Sequence, residues 1–214
     1  KFVEKLLNKK FDEEPAMQIE LSSDNKTYAD SFLKENKISD KDFVVGFHPG
    51  CATLKNHIKR RWDPEKFAGL CKKLISEKNA KVFMFEVSEE EELKSSINRM
   101  IDSNGSFIVK TEKFIQSIAI MKRCNVFVTK DSALMHVASA LGLKVIAIIG
   151  PTNPHYIHPW KTEHKIVSLN LDCAPCFFYS PKPLTCSRTD VQFKCIKELD
   201  VEMVWKNIFQ KGEM

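Results

Sequence analysis

The stretch Thr129-Lys130-Asp131-Ser132-Ala133-Leu134-Met135-His136 holds residue types that suit a phosphorylated ligand. An apolar run, Val126-Phe-Val128, leads into it, and a helical pattern, Asp131 to Leu141, follows. The first turn of a helix offers free backbone N–H groups and a partial positive charge, which together attract phosphate. Ser132 and Ala133 are small enough for a ligand to approach the backbone, and His136 lies one turn further in, where it can face the same ligand. The plainer alternative makes Asp131 a helix cap and His136 a core histidine satisfied by its neighbours. A second group, Lys59, Arg60 and Arg61, could pair with phosphate oxygens or form a solvated basic face. Glu89 and Glu90 could accept ribose hydroxyls, or favour a helix N-terminus as acidic residues do anywhere. Gly150-Pro-Thr-Asn-Pro154 makes a rigid turn that falls beside the same pocket. The chain has no Gly-x-Gly-x-x-Gly, no P-loop and no His-Glu-x-x-His, which argues against dinucleotide binding, P-loop hydrolysis and zinc proteolysis.

These segments need a scaffold, and the hydrophobic pattern supplies one. Short apolar runs at 42–48, 81–85, 107–109, 126–128 and 145–149 read as strands. Helical patterns lie between them. Asp63-Pro64 opens the first, with Phe67, Leu70, Cys71, Leu74 and Ile75 on one face. Ser88 to Glu91 reads as a capping box for a second helix, and Thr111 as the cap of a third running to about Lys122. Strands alternating with helices predict right-handed parallel crossovers. Continuously apolar strands predict a sheet covered on both faces. The expected fold is therefore α/β, a Rossmann-like parallel sheet with helices on both faces. Ligands of such sheets sit at the carboxyl ends of the strands, which places His48 to Thr53, Phe85 to Glu90 and Thr129 to His136 on one edge. Residues 1–40 are polar and read as a linker or lead-in with a short helix near Tyr28 to Glu35; residues 41–214 read as the domain, with a cysteine-rich tail at 172–196 and a last helix from Asp200.

The 214 residues carry 33 Lys+Arg against 28 Asp+Glu, a net charge of +5 that admits an anionic ligand without requiring one. A hydrophobic share of 43% is globular, not disordered. The longest apolar run, Val145 to Gly150, is too short to span a bilayer. The chain opens at Lys1 with a mixed-charge segment that lacks the form of a secretory signal, and the missing Met suggests that something precedes it. Cys51, Cys71 and Cys124 read as reduced cysteines.

The motifs taken together resemble glycosyltransferase family 9, the heptosyltransferases of lipopolysaccharide core assembly. The resemblance rests on Lys130 to Gly142 followed by Val145 to Pro154, on His48-Pro-Gly50 with Arg60-Arg-Trp62-Asp-Pro64, and on the tail with Cys173-Ala-Pro-Cys176, Tyr179 to Pro183, Cys186 and Cys195. It implies the C-terminal, donor-binding half of a two-domain GT-B enzyme, with the acceptor site and the catalytic carboxylate in an N-terminal half outside this chain. No catalytic residue is then expected here, and the chain alone is expected to bind donor without transferring it. The resemblance makes Asp131, Ser132, Ala133 and His136 the diphosphate-sugar loop and Arg60 the basic residue near the phosphates. It matches Thr53 to a first-loop hydroxyl, Glu89 or Glu90 to a ribose-binding acid, and Glu112 to the nucleobase region. Ala133 stands where the family usually has Gly, and Lys130 where Asn is common.

The implied reaction is inverting, metal-independent transfer of a sugar, heptose by resemblance, from an ADP-heptose-type donor to a lipid-linked oligosaccharide acceptor. The donor is a substrate, and no cofactor is expected. No nucleic-acid partner is expected, since no basic helix or aromatic-interleaved strand appears. The implied location is cytoplasmic, with peripheral association at the inner membrane. The alternative function is a non-catalytic nucleotide or sugar-phosphate binding module. For Cys173, Cys176, Cys186 and Cys195, a disulfide or free thiols are preferred to structural zinc, because only the first pair has tight ligand spacing.

Overall fold

The computed structural model describes residues 2–10, 14–51, 54–85, 91–102, 104–178 and 182–210. In chain order the elements are α1 (Phe2–Leu7), α2 (Ser23–Glu35), β1 (Val44–Phe47), α3 (Pro64–Lys78), β2 (Lys81–Phe85), α4 (Glu91–Ile101), β3 (Ser106–Val109), α5 (Phe114–Met121), β4 (Val126–Lys130), α6 (Ala133–Ala140), β5 (Lys144–Ile148), β6 (His164–Val167), α7 (Lys194–Lys197) and α8 (Val201–Phe209). The strands form one six-stranded sheet in the order β3-β2-β1-β4-β5-β6. Every neighbouring pair is parallel. This is the Rossmann order, and its direction of winding reverses between β1 and β4.

Alternation along each strand feeds two cores. Val45, Phe47, Val82, Met84, Val128 and Ile146 face one layer with Phe67, Leu70 and Leu74 of α3 and Val204 and Ile208 of α8. Val44, Phe83, Phe85, Phe127, Val145 and Ala147 face the other with residues of α5 and α6 and Ala29 of α2. Burial on both faces is why the strands read as unbroken apolar runs. Each fully buried Val, Leu, Ile, Phe or Met among them contributes about 1.5–3 kcal/mol on removal from water.

Several local expectations shift. The helix expected near Tyr28 begins earlier, at Ser23, because the Ser22 hydroxyl accepts from the Asn25 N–H. It packs on α5, and Ala29 and Ile38 of the polar lead-in are buried. The third helix starts at Phe114 rather than at a Thr111 cap; Gln116 accepts from the Lys113 N–H, while the Thr111 hydroxyl meets Ser117. Strand β4 runs on to Lys130, and α6 begins at Ala133 rather than Asp131. Strand β6 was not expected at all: it is short, partly exposed and carries His164 and Lys165. The Ser88 to Glu91 capping box lies largely outside the described residues. At Asp200 the expectation of a helix start is met, with its carboxylate accepting from the Met203 N–H.

Gly46 of β1 is fixed by close approach. A Cβ there would lie 2.6 Å from the Phe127 ring and 2.9 Å from Cys124 Sγ. Gly46→Ala is expected to cost about 1–3 kcal/mol through overpacking. Urea denaturation checks this; a loss under about 0.5 kcal/mol would mean the β1–β4 layer yields more easily than its packing implies.

Candidate functional site

The segments that leave β1 and β4 at their carboxyl ends meet where the sheet order reverses. The His48 N–H donates to the Val128 carbonyl at 3.1 Å, so the sheet pairing continues one residue past β1. His48 is buried, and its Nδ1 lies 3.1 Å from Ser132 Oγ. Thr129 Oγ1 lies 3.1 Å from the same hydroxyl. Ser132 occupies the cap position of α6, yet its side chain makes no cap bond. It is engaged sideways by His48 and Thr129, so its hydroxyl does not cover the first-turn amides of α6. Ala133 and His136 are exposed at that end of the helix. The exposure of His136 excludes the core-histidine alternative.

Asp131 does something neither alternative anticipated. It is buried, and its carboxylate is taken by groups outside α6. Its Oδ2 accepts from Arg60 Nη1 at 2.5 Å and from Thr152 Oγ1 at 2.9 Å. The two charged side chains are only 6% and 9% exposed, which marks a buried ion pair. The Phe177 ring covers the guanidinium, with Arg60 Cζ 5.2 Å from its centroid. Asp131 is thus not the helix cap.

Arg60 arrives from a loop with its own supports. Residues Leu54–Arg60 form a distorted 3-10 segment in which Lys55 and Asn56 both take left-handed backbone angles, φ 53° and 64°. The Leu184 N–H donates to the Lys55 carbonyl at 2.9 Å, and Asn56 Nδ2 donates to the Leu184 carbonyl at 3.3 Å. Beyond Arg60, buried Trp62 anchors the chain: its indole N–H donates to the Leu199 carbonyl at 2.8 Å. The basic triplet therefore divides. Lys59 is exposed, Arg60 is buried on Asp131, and Arg61 donates to the Cys51 carbonyl at 3.1 Å. His57, edge-on to Phe177 at 5.1 Å, has its pKa lowered by burial first and then by the neighbouring Arg60 and Lys55 charges, so it stays neutral near pH 7.

The other expected site residues are less central or not visible. Glu112 is exposed, beyond the carboxyl end of the edge strand β3. Thr53, Glu89 and Glu90 lie outside the described residues. Lys130 is buried at the end of β4. Cys173, Cys176, Cys186 and Cys195 are free thiols. Among the described residues no group of three or more His, Cys, Asp or Glu is arranged to hold a metal ion. Burial raises the Cys195 thiol to about 11. Sequence reasoning missed His48 as a partner of Ser132, Thr152 as a ligand of Asp131, and Phe177 entirely. The Gly150 to Pro154 turn had been noticed, which was the one available signal for Thr152.

The sequence matches Glycosyltransferase family 9 (heptosyltransferase) over residues 3–184. The chain belongs to glycosyltransferase family 9. Among curated relatives, it is 29% identical over 175 residues to lipooligosaccharide heptosyltransferase 2 of Campylobacter jejuni, covering 77% of this chain and 50% of that protein. It is 26% identical over 156 residues to lipopolysaccharide heptosyltransferase 2 of Escherichia coli, covering 71% and 43%. The chain spans about half the length of the curated relatives it matches. Its fold resembles a family 9 glycosyl transferase from Veillonella parvula, with TM-score 0.76 and 22% identity over 97% of this chain and 56% of that one. It also resembles E. coli ADP-heptose lps heptosyltransferase II, with TM-score 0.68 and 22% identity over 89% and 52%. The Rossmann-like α/β fold of this family 9 chain accords with both.

Removing one partner of a buried ion pair leaves the other charge without its counter-ion. Asp131→Ala in this family 9 chain should therefore cost about 3–5 kcal/mol of stability. Adding Arg60→Met to that variant should recover part of the loss in urea denaturation. A double variant less stable than Asp131→Ala alone would show that the pair is not the unit that matters.

Proposed function

We propose that this chain is the donor-binding half of a heptosyltransferase-type glycosyltransferase of lipopolysaccharide assembly, corresponding to the C-terminal half of its longer relatives. The observation that carries this reading is the N-terminus of α6 at the β1–β4 crevice, without a side-chain cap, beside an Asp131 carboxylate engaged by Arg60 and Thr152. A carboxylate next to a helix N-terminus is drawn to it by the dipole and competes there with any phosphate. Arg60 and Thr152 engage the Asp131 carboxylate instead. The Ser132 carbonyl takes the Met135 N–H, so the Ala133 and Leu134 N–H groups, with exposed His136, are the groups proposed to meet a ligand anion.

The E. coli structure that this chain resembles is of an ADP-heptose enzyme, which makes ADP-heptose the proposed donor. In the reaction, a carboxylate outside this chain takes the proton of an acceptor hydroxyl as its oxygen attacks the anomeric carbon. The bond to the ADP oxygen breaks with inversion. The charge released on the diphosphate is stabilised by the α6 amides and by His136. These groups supply that stabilisation without a metal. The proposed acceptor is a lipid-linked oligosaccharide held by the other half, at the cytoplasmic face of the inner membrane. Among the described residues no helix is long and apolar enough to cross a membrane. Ser132, Arg60 and Asp131 shape this site, and Thr53, Glu89 or Glu90 and Glu112 are the proposed contacts to the rest of the donor.

A thermal-shift panel of nucleoside diphosphates should show stabilisation by ADP and ADP-sugars above UDP or GDP. His136→Ala should weaken ADP binding by about 1–3 kcal/mol, the usual loss of a hydrogen bond to a charged phosphate. Calorimetry finding the same ADP affinity in the variant would remove His136 from the site. Binding with no turnover by the chain alone is the expected result, with transfer appearing only when the acceptor half is present.

A further inference from the structure

We propose that Phe177, in the cysteine-rich tail, is a positioning residue of the donor site: its ring holds the Arg60 guanidinium on Asp131 and so keeps the α6 N-terminus clear. The inference rests on the donor reading above and extends it to a segment that reading does not use.

The tail is fastened to the site at its backbone. The N–H groups of Cys176 and Phe177 both donate to the Pro151 carbonyl, each at 3.0 Å. Thr152 and Phe177 pair as an isolated parallel bridge. The Thr152 hydroxyl in turn donates to the Asp131 oxygen that Arg60 holds. One short turn therefore fixes both the ring that covers Arg60 and the hydroxyl that steadies Asp131. The ring has a firm seat of its own. Phe177 is 5% exposed and packs with Leu184 and Phe193. The Phe193 N–H donates to Cys186 Sγ at 3.2 Å, and Leu184 is tied to Lys55 in the Arg60 loop.

The chemistry follows from the guanidinium. It is planar, weakly hydrated and at home on an aromatic face, where a cation is attracted to the ring quadrupole. The ring also excludes water, which strengthens the pull of Arg60 on Asp131. The pair has its partner on one side and the ring on the other. His57 completes the ring's surroundings edge-on, and in its neutral form it adds no charge against Arg60. With the ring gone, water enters, the guanidinium gains other rotamers, and Asp131 is freed toward the positive end of α6. A phosphate then meets a competing carboxylate. A merely structural phenylalanine would lower stability without discriminating phosphate from nucleoside.

The test uses the full-length protein and calorimetric titration with ADP and with adenosine. Phe177→Leu should weaken ADP by about 5–30-fold, the range of a desolvated cation–π contact, while adenosine changes less than about twofold. Phe177→Tyr, which keeps the ring face, should restore ADP binding. In unfolding measurements, Phe177→Leu and Arg60→Met should be less than additive when combined. Equal loss of ADP and adenosine, no rescue by Tyr, or strict additivity would each overturn the proposal. A wild-type protein that does not bind ADP defeats the donor reading and this inference with it. A wild type that binds ADP, with a folded Phe177→Leu variant indistinguishable from it, defeats this inference alone.

Discussion

The ion pair between Arg60 and Asp131 governs the crevice at the point where the sheet reverses its winding. Two opposite charges lie 2.5 Å apart, each almost wholly withdrawn from water. Pairs of this kind add little net stability, because desolvation offsets most of the Coulomb attraction. What this one fixes is position. Asp131 precedes the cap residue of α6, so its carboxylate has a short path to the helix N-terminus and an electrostatic reason to take it. Arg60 and Thr152 supply the stronger opposing pull. An acidic residue beside the proposed anion site would otherwise be a defect; here its charge is neutralised within the fold.

Four separate stretches of chain must converge for this to hold. Asp131 comes from the end of β4, Arg60 from the loop after β1, Thr152 from the turn after β5, and Phe177 from the tail. The parallel sheet brings the first three to one edge, since every strand points its carboxyl end the same way. The fourth is brought by the Pro151 carbonyl, which takes two tail amides. Trp62 adds a further constraint by tying the Arg60 loop to Leu199 near the end of the chain. The loop's two left-handed residues, Lys55 and Asn56, are strained positions that persist because the tail bonds to them directly and Trp62 anchors the chain beyond them.

The sheet was legible in the sequence because its central strands are buried on both faces and leave unbroken apolar runs. β6 was not, because an edge strand with His164 and Lys165 has neither run nor clean alternation. The carboxyl edge was legible too, since a parallel sheet fixes which loops lie together. The direction of each side chain within that edge was not. Asp131 just before a small-residue helix is compatible with capping, with phosphate contact and with facing inward. Only a cation from 71 residues away in sequence decides between them. The basic triplet shows the same limit: three adjacent cations read as one face, yet Lys59 meets water, Arg60 an aspartate and Arg61 a carbonyl. Phe177 left no local sign, because nothing in a cysteine-rich tail marks which ring covers a guanidinium.

Ala133 bears on the shape of the proposed donor mouth, where the sequence resemblance implies glycine. It is the first residue of α6, and its backbone is helical, so the position has no need of glycine's access to positive φ. The difference is one of space. A helical Cα–Cβ bond tilts toward the N-terminus of its helix, so the Ala133 methyl stands at the rim where a diphosphate would approach the amides. Ser132, drawn sideways by His48 and Thr129, offsets this by taking its hydroxyl off the same rim. The opening is thus narrowed on the Ala133 side and cleared on the Ser132 side.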